Sequence, residues 1–313
     1  MEKQPEEEKQ TTLFGLLVQL SRPALLPGGI GLTFLGAGIA RYLGHTIDWN
    51  VFGLGLLWVL FTQLAAQYLN EYFNHPADQE NPNRTAFSGW SGVLGEGEDK
   101  LQPQMALSAF VAALSFSMAI VLSLFLADGM NLINGSIMGL IMAGALAYSI
   151  PPIQFARSGS GEFVVALTGG YLVPMLAFSL QTGEPHRLVV LSALPIVLLL
   201  VVFLLAVSFP NYATYLKHSK RTFLIRAGWE NTMTVHNTLI LTAFIALASL
   251  WFFEFPRSIL LPAYLALPLG LMQFWQMRQI GTGAKPNWKA LTLNAAVLVG
   301  TLIFLLAYMF WTR

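Results

Sequence analysis

Residues 63–94, QLAAQYLNEYFNHPADQENPNRTAFSGWSGVL, change character halfway along. The first part continues an apolar run, yet Gln63, Gln67, Asn70, Glu71 and Asn74 recur at steps of three or four and therefore share one face of a helix. A polar face on an otherwise greasy helix points at something other than lipid. At Pro76 the sequence predicts a break into a loop carrying Asp78, Glu80, Arg84 and a Gly/Ser tract, side chains that can ligate a cation or grip an anion. Everything else in the chain predicts a hydrocarbon-embedded vessel around this mouth.

Composition makes that vessel a membrane protein. Of 313 residues 55% are hydrophobic and 11% charged, with a mean hydropathy of +0.59, whereas soluble domains carry roughly 25% charged residues. The net charge of +1, with basic residues scattered, excludes nucleic acid as an expected partner. Without cysteine there is no disulfide, thiolate nucleophile or Cys metal site. Residues 1–10, MEKQPEEEKQ, lack the basic flank of a signal peptide and read as a disordered acidic tail. Residues 11–313 read as one transmembrane domain.

A span needs about 20 mostly apolar residues. Nine segments qualify, near 24–41, 51–72, 104–127, 131–150, 162–181, 188–210, 236–254, 257–277 and 290–311. The expected fold is an all-α membrane protein of nine transmembrane helices around a central cavity, preceded by a short amphipathic segment at Thr11–Leu20. Thirteen of the seventeen Lys and Arg fall on the N-terminal side of the bilayer, which predicts a cytoplasmic N-terminus and an outer C-terminus. The two long polar loops, 74–102 and 211–235, share the cytoplasmic face. The helix centres read as almost purely apolar, which argues against an alternating-access carrier with its polar groups at the midplane.

The motifs have a family likeness. Asn70-Glu71-Tyr72-Phe73-Asn74, then Asp78, Glu80, Asn83-Arg84 and Phe87-Ser88-Gly89-Trp90-Ser91-Gly92, resemble the first aspartate-rich motif of the UbiA-type intramembrane prenyltransferases, closest to their dihydroxynaphthoate branch. Tyr148-Ser149-Ile150-Pro151-Pro152 and Gly161-Glu162 are similar to that branch's Y-S-x-P-P and G-E segments. Phe209-Pro210-Asn211-Tyr212, then Lys220-Arg221-Thr222, stand where the family has its second motif. Asn74, Asn211 and Tyr215 occupy positions where the family places carboxylates, so the second motif has no acid at all.

The resemblance implies transfer of an isoprenyl group from its diphosphate to an aromatic acceptor in quinone or related lipid synthesis, in a bacterial cytoplasmic membrane. It implies Mg²⁺ held by Glu71, Asp78 and Glu80, with Asn70 and Asn74 beside them as catalytic polar groups. It implies a diphosphate and its acceptor held by Arg22, Arg84, Tyr148, Asn211, Lys217, Lys220 and Arg221. Plainer readings stand next to these: Asn70 and Asn74 as interhelical hydrogen-bonders, Glu71 as a snorkelling side chain, Asp78 and Glu80 as solvated loop acids, and the 217–221 cations as positive-inside anchors. The stripped second motif also fits a catalytically silent relative that binds lipid or quinone in a membrane complex. His218 and His236 have no spaced partner and read as structural, and Gly28-Gly29 and Gly169-Gly170 as close helix contacts.

Overall fold

The computed structural model describes residues 12–97, 99–127 and 129–313, and of Ala77, Asp78 and Gln79 only the backbone. The acidic tail and the Asp78 carboxylate lie outside the described residues. Helices run in the order α1 (Leu13–Leu20), α2 (Leu26–Tyr42), α3 (Trp49–Gln79), α4 (Pro103–Leu126) and α5 (Leu132–Ser149). There follow α6 (Gly161–Leu167), α7 (Val173–Thr182), α8 (Arg187–Ser208), α9 (Tyr212–Lys217), α10 (Phe223–Ala227), α11 (Trp229–Ser249), α12 (Arg257–Ala263), α13 (Leu267–Gly281) and α14 (Trp288–Thr312). Among the described residues, nine segments are long and apolar enough to cross a membrane, and no strand forms beyond one isolated bridge between Leu94 and Leu101. Leu132, Phe252, Ile245 and Phe125 are largely exposed around the outside, as befits side chains whose solvent is lipid.

Proline sets most of the joints. Pro23 ends the short helix α1 before α2, and Pro210 turns α8 through Phe209–Asn211 into α9. The fifth span passes from α6 through a single π turn, Thr168–Leu172, into α7, where Pro174 has no N–H to return to the ladder. The seventh span starts at Trp229 and not near 236, because its first turns, WENTMTV, are too polar for hydropathy to register.

Two expectations need correcting. Pro76 does not break α3, which runs on to Gln79. The carbonyl of Tyr72 that Pro76 cannot serve is met by Nδ1 of His75 at 2.8 Å, so the missing backbone bond is replaced locally. Nor are the helix interiors purely apolar. His236, Gln273 and Asn294 are buried together between α11, α13 and α14, with Asn294 donating to the Gln273 side-chain oxygen at 2.8 Å and Gln273 3.3 Å from His236. These mutual bonds make the trio an interhelical clip.

The small residues do two jobs. A side chain at Gly29 would strike Gln63 and one at Gly170 would strike Val197 and Leu200, so these two allow close contact. Gly28 and Gly169, their neighbours, have nothing within 4 Å and face the central cavity.

Candidate functional site

The extended end of α3 builds one wall. Glu71 is buried, and its carboxylate accepts from the Ser91 N–H at 2.9 Å and the Ser91 hydroxyl at 2.6 Å. Nη1 of Arg22 lies 3.9 Å from the same carboxylate, and Nη2 donates to the Phe87 carbonyl at 3.0 Å. Glu71 and Arg22 thus strap the 87–92 loop back onto the helix. Gly92 is required in that loop because a Cβ there would run into the Arg84 guanidinium, at a φ of +70°. Along the polar face, Asn74 donates to Asn70 at 2.7 Å, while Asn74 Oδ1 and Gln67 Oε1 are buried with no partner among the described residues.

The second wall comes from the turn after α8. Asn211 is buried and fully engaged: it accepts from Asn81 at 2.6 Å, and its amide donates to Ser88 at 2.8 Å, Val207 at 2.9 Å and the Tyr215 hydroxyl at 3.2 Å. The residue sews the first loop to the second. Lys220 is 4% exposed, its ammonium 4.4 Å from the Trp90 ring centroid and 4.6 Å from that of Tyr215. That aromatic seating favours a cation. Burial nevertheless pushes Lys220 down to about 7, with Glu162 pulling the other way and Arg157 and Arg22 adding to the fall.

Backbone strain gathers at the same place. Arg22 (φ 44°), Trp90 (φ 53°) and Ser219 (φ 50°) all take the left-handed conformation that non-glycine residues avoid, and each is at or next to a cavity-lining side chain.

Between the walls lies a cavity of about 1000 Å³. Its head is lined by Arg22, Gln67, Asn70, Trp90, Lys220 and Glu162, and its shaft by Gly28, Val59, Val173, Leu204, Gly300 and Ile303, ending at Phe34 and Trp311. A polar, charged head over a long apolar shaft fits an amphiphile with an anionic end.

The expected residues divide three ways. Arg22, Asn70, Tyr148, Asn211 and Lys220 line the cavity. Glu71 and Asn74 lie one layer behind it, buried. Arg84 packs under the Gly89–Gly92 loop and lines a separate surface cleft with Lys285 and Lys289. Glu80 and Lys217 pair with each other at 2.7 Å on the surface, where His218 also reaches Glu80 at 3.0 Å, and Arg221 is exposed away from the cavity. The hydrogen bonds from Lys217 and then His218 hold the Glu80 carboxyl below its usual range. Glu162, Thr222, Gln67 and Trp90 are the wall residues to which the sequence assigned no role. A lone Glu opening an apolar run was the signal for Glu162.

As a magnesium site, the two walls differ. Along the first, Gln67 Oε1 and Asn74 Oδ1 have no partner among the described residues, and with Asn70 and the Glu71 carboxylate on the same helix they are the hard oxygen donors from which the ligands of one such ion could be drawn. The second wall does not fit one, because Asn211 spends its side chain on four protein partners and Lys220 adds a cation. Among the described residues no three His, Asp or Glu side chains converge.

The nine helices that, among the described residues, are long and apolar enough to cross a membrane enclose a charged head and a greasy shaft, which defines a membrane protein built to hold an amphiphile. Its lineage is explicit: residues 30–298 match the UbiA prenyltransferase family, and the chain belongs to that family of transferases. The chain is 23% identical over 237 residues, 75% of it and 72% of the relative, to the 1,4-dihydroxy-2-naphthoate octaprenyltransferase of Bacillus subtilis (strain 168). In fold it is similar to a UbiA homolog from Archaeoglobus fulgidus bound to GPP and Mg²⁺, with a TM-score of 0.63 at 16% identity over 92% of this chain and 99% of that one. It is also similar to an apo UbiA homolog from Aeropyrum pernix K1, with a TM-score of 0.61 at 13% identity over 91% and 96%.

Proposed function

We propose that the protein transfers an isoprenyl group from an isoprenyl diphosphate to a hydroxylated aromatic acceptor of the naphthoate type. The observation that carries this reading is the single cavity whose cationic head joins both loops and whose shaft is long and apolar. Arg22 and Lys220 meet the diphosphate, the former from the first wall and the latter from the second. Gln67, Asn70, Glu71 and Asn74 would hold one Mg²⁺. When bound, such an ion would supply charge stabilisation to the departing diphosphate. Glu71 has a second duty, positioning the 87–92 loop through Ser91. Tyr148, Phe87 and Phe203 turn π faces or edges toward the top of the shaft, where an allylic cation would sit shielded from water. Asn211 orders the head by bonding, while Glu80, Lys217 and Arg221 lie on the surface outside it.

Residues 11–313 form one unit in this reading, seated in a bacterial cytoplasmic membrane with the N-terminus and both long loops on the cytoplasmic side and the C-terminus outside. The relative from Bacillus, an octaprenyltransferase, makes a dihydroxynaphthoate the first acceptor to try and octaprenyl diphosphate the first donor. The test uses purified protein in liposomes with labelled octaprenyl or geranylgeranyl diphosphate, 1,4-dihydroxy-2-naphthoate and Mg²⁺. Prenylated product and Mg²⁺-dependent donor binding are expected. Absence of both removes the reading, and donor binding without transfer would point to a silent binding subunit instead.

A further inference from the structure

The cavity head has a second polar lobe that neither loop motif accounts for. Glu162 opens α6 and is buried in the wall, 9% exposed, where the start of α6 packs beside Phe223 through Phe163. Beside it the Tyr148 ring crosses Gly161 so closely that a Cβ there would come within 3.0 Å of the ring. Thr222, 5% exposed, also lines the cavity, and its buried hydroxyl has no partner. Lys220 stands between this lobe and the Arg22 side, coupled electrostatically to Glu162. An acyclic diphosphate has no use for a carboxylate, which would repel it. A neutral or acidic aromatic with a ring hydroxyl does: the carboxylate accepts its O–H, the threonine hydroxyl is free to bond a second oxygen, and Tyr148 offers an aromatic surface.

We propose that Glu162, Thr222 and Tyr148 form the acceptor subsite, in which Glu162 is the catalytic base that takes the ring-hydroxyl proton. The chemistry rests on the prenyl-transfer reading above; the site itself does not. As the acceptor carbon ortho to the hydroxyl bonds to C1 of the donor, the C1–O bond breaks and its electron pair leaves with the diphosphate. The O–H electron pair moves into the ring as a carbonyl, and the proton passes to Glu162. When the attacked carbon releases its own proton to water, the ring regains aromaticity, Glu162 returns its proton to the oxygen, and the carboxylate is restored. The titratable groups close enough to Glu162 to feel its charge in this exchange are Tyr148, Lys220 and Tyr215.

The experiment compares the full-length protein with Glu162→Gln in liposomes, using two acceptor probes, a hydroxynaphthoate and its methyl ether. Hydrogen bonds to a charged partner are the strong kind, so the native protein should bind the hydroxy probe about tenfold or more over the ether, and the variant should lose most of that preference. Donor affinity, compared in a Lys220→Arg background whose charge does not depend on Glu162, should stay within about twofold, because the carboxylate faces the acceptor. Where turnover is seen, kcat of the variant should fall about 10²- to 10⁴-fold, the usual share of a general base. Equal turnover in the variant, a native protein with no preference for the hydroxyl, or a parallel loss of donor binding would each overturn the subsite. A preference that Glu162→Gln abolishes in a protein that transfers nothing would leave the subsite standing and remove the transfer reading.

Discussion

The two walls of the cavity head carry the same number of motifs and do opposite things with them. The α3 wall leaves oxygen atoms unspent, at Gln67 and Asn74, next to a carboxylate that bonds Ser91. The α8–α9 wall spends its amide: Asn211 is consumed by Asn81, Ser88, Val207 and Tyr215, the cavity-lining charge there is the Lys220 ammonium, and the unbonded oxygen beyond it is the Thr222 hydroxyl. Where a relative with acids in its second motif would gather metal, this chain has a hydrogen-bonded seam and a caged cation. Positive charge on that side is thus supplied by a side chain, whose protonation depends on pH as a metal's charge does not.

The sharpest way to break the comparison is at Glu71. Glu71→Ala removes the carboxylate beside the Arg22 charge and the acceptor of the Ser91 N–H in a buried setting and should cost about 3–5 kcal/mol, read as a lower thermal midpoint in detergent with loss of donor binding. Glu71→Gln keeps an acceptor for the Ser91 N–H and should cost about 1–3 kcal/mol. An Ala variant as stable as the native protein would show that the strap is decorative.

Lys220 comes next. Lys220→Met should weaken donor binding about 10- to 100-fold, the worth of a charge-assisted bond in a partly dry site. Burial holds Lys220 at about 7 against 10.5 for the free side chain, so in the empty cavity it is mostly neutral above that pH and must gain a proton to meet an anion. Donor affinity should therefore decline as pH rises through about 7, and Lys220→Arg, which stays charged, should flatten the profile. Stability runs the other way. The unfolded chain keeps that proton up to 10.5 and the folded chain only to about 7, so this residue's contribution to folding improves as pH rises between the two. A native profile as flat as the Arg variant's would contradict the buried seat.

Asn211→Asp tests the seam. The new carboxylate would face the Val207 carbonyl, a neighbour to which Asn211 now donates, and should lose about 1–2 kcal/mol of stability. Gain of a second Mg²⁺ in that variant, with unchanged stability, would mean that the wall is a metal site one atom short. The smallest effect belongs to the surface. Lys217→Met should leave donor affinity within about twofold, since exposed pairs such as Lys217–Glu80 contribute little. A large loss would place Lys217 on the diphosphate after all.

Much of this was legible in the residues themselves. Nine apolar stretches, the one-sided polar face of Gln63 to Asn74 and the missing second-motif acids are properties of spacing and charge, and hydrocarbon permits few other ways to fold such a chain. Pro76 misled because propensity considers a proline alone, while His75 stood ready to bond the carbonyl it abandons. Lys217, Lys220 and Arg221 are equivalent in sequence, three cations within five positions. The turn after α9 is what sends Lys220 between two rings and leaves the others in solvent. Glu162 lies 91 residues beyond Glu71, counting 162 − 71, and no local pattern connects them.

The sequence by itself determined that the chain lives in a membrane, how many times it crosses, which end is polar and which family it resembles, because these follow from composition and short-range period. Only the tertiary structure decided which polar groups meet across the cavity, which are spent on one another and which remain open to a ligand. That partition depends on hydrogen bonds and burial between segments distant in the chain, and free energy of that kind is fixed by three-dimensional proximity.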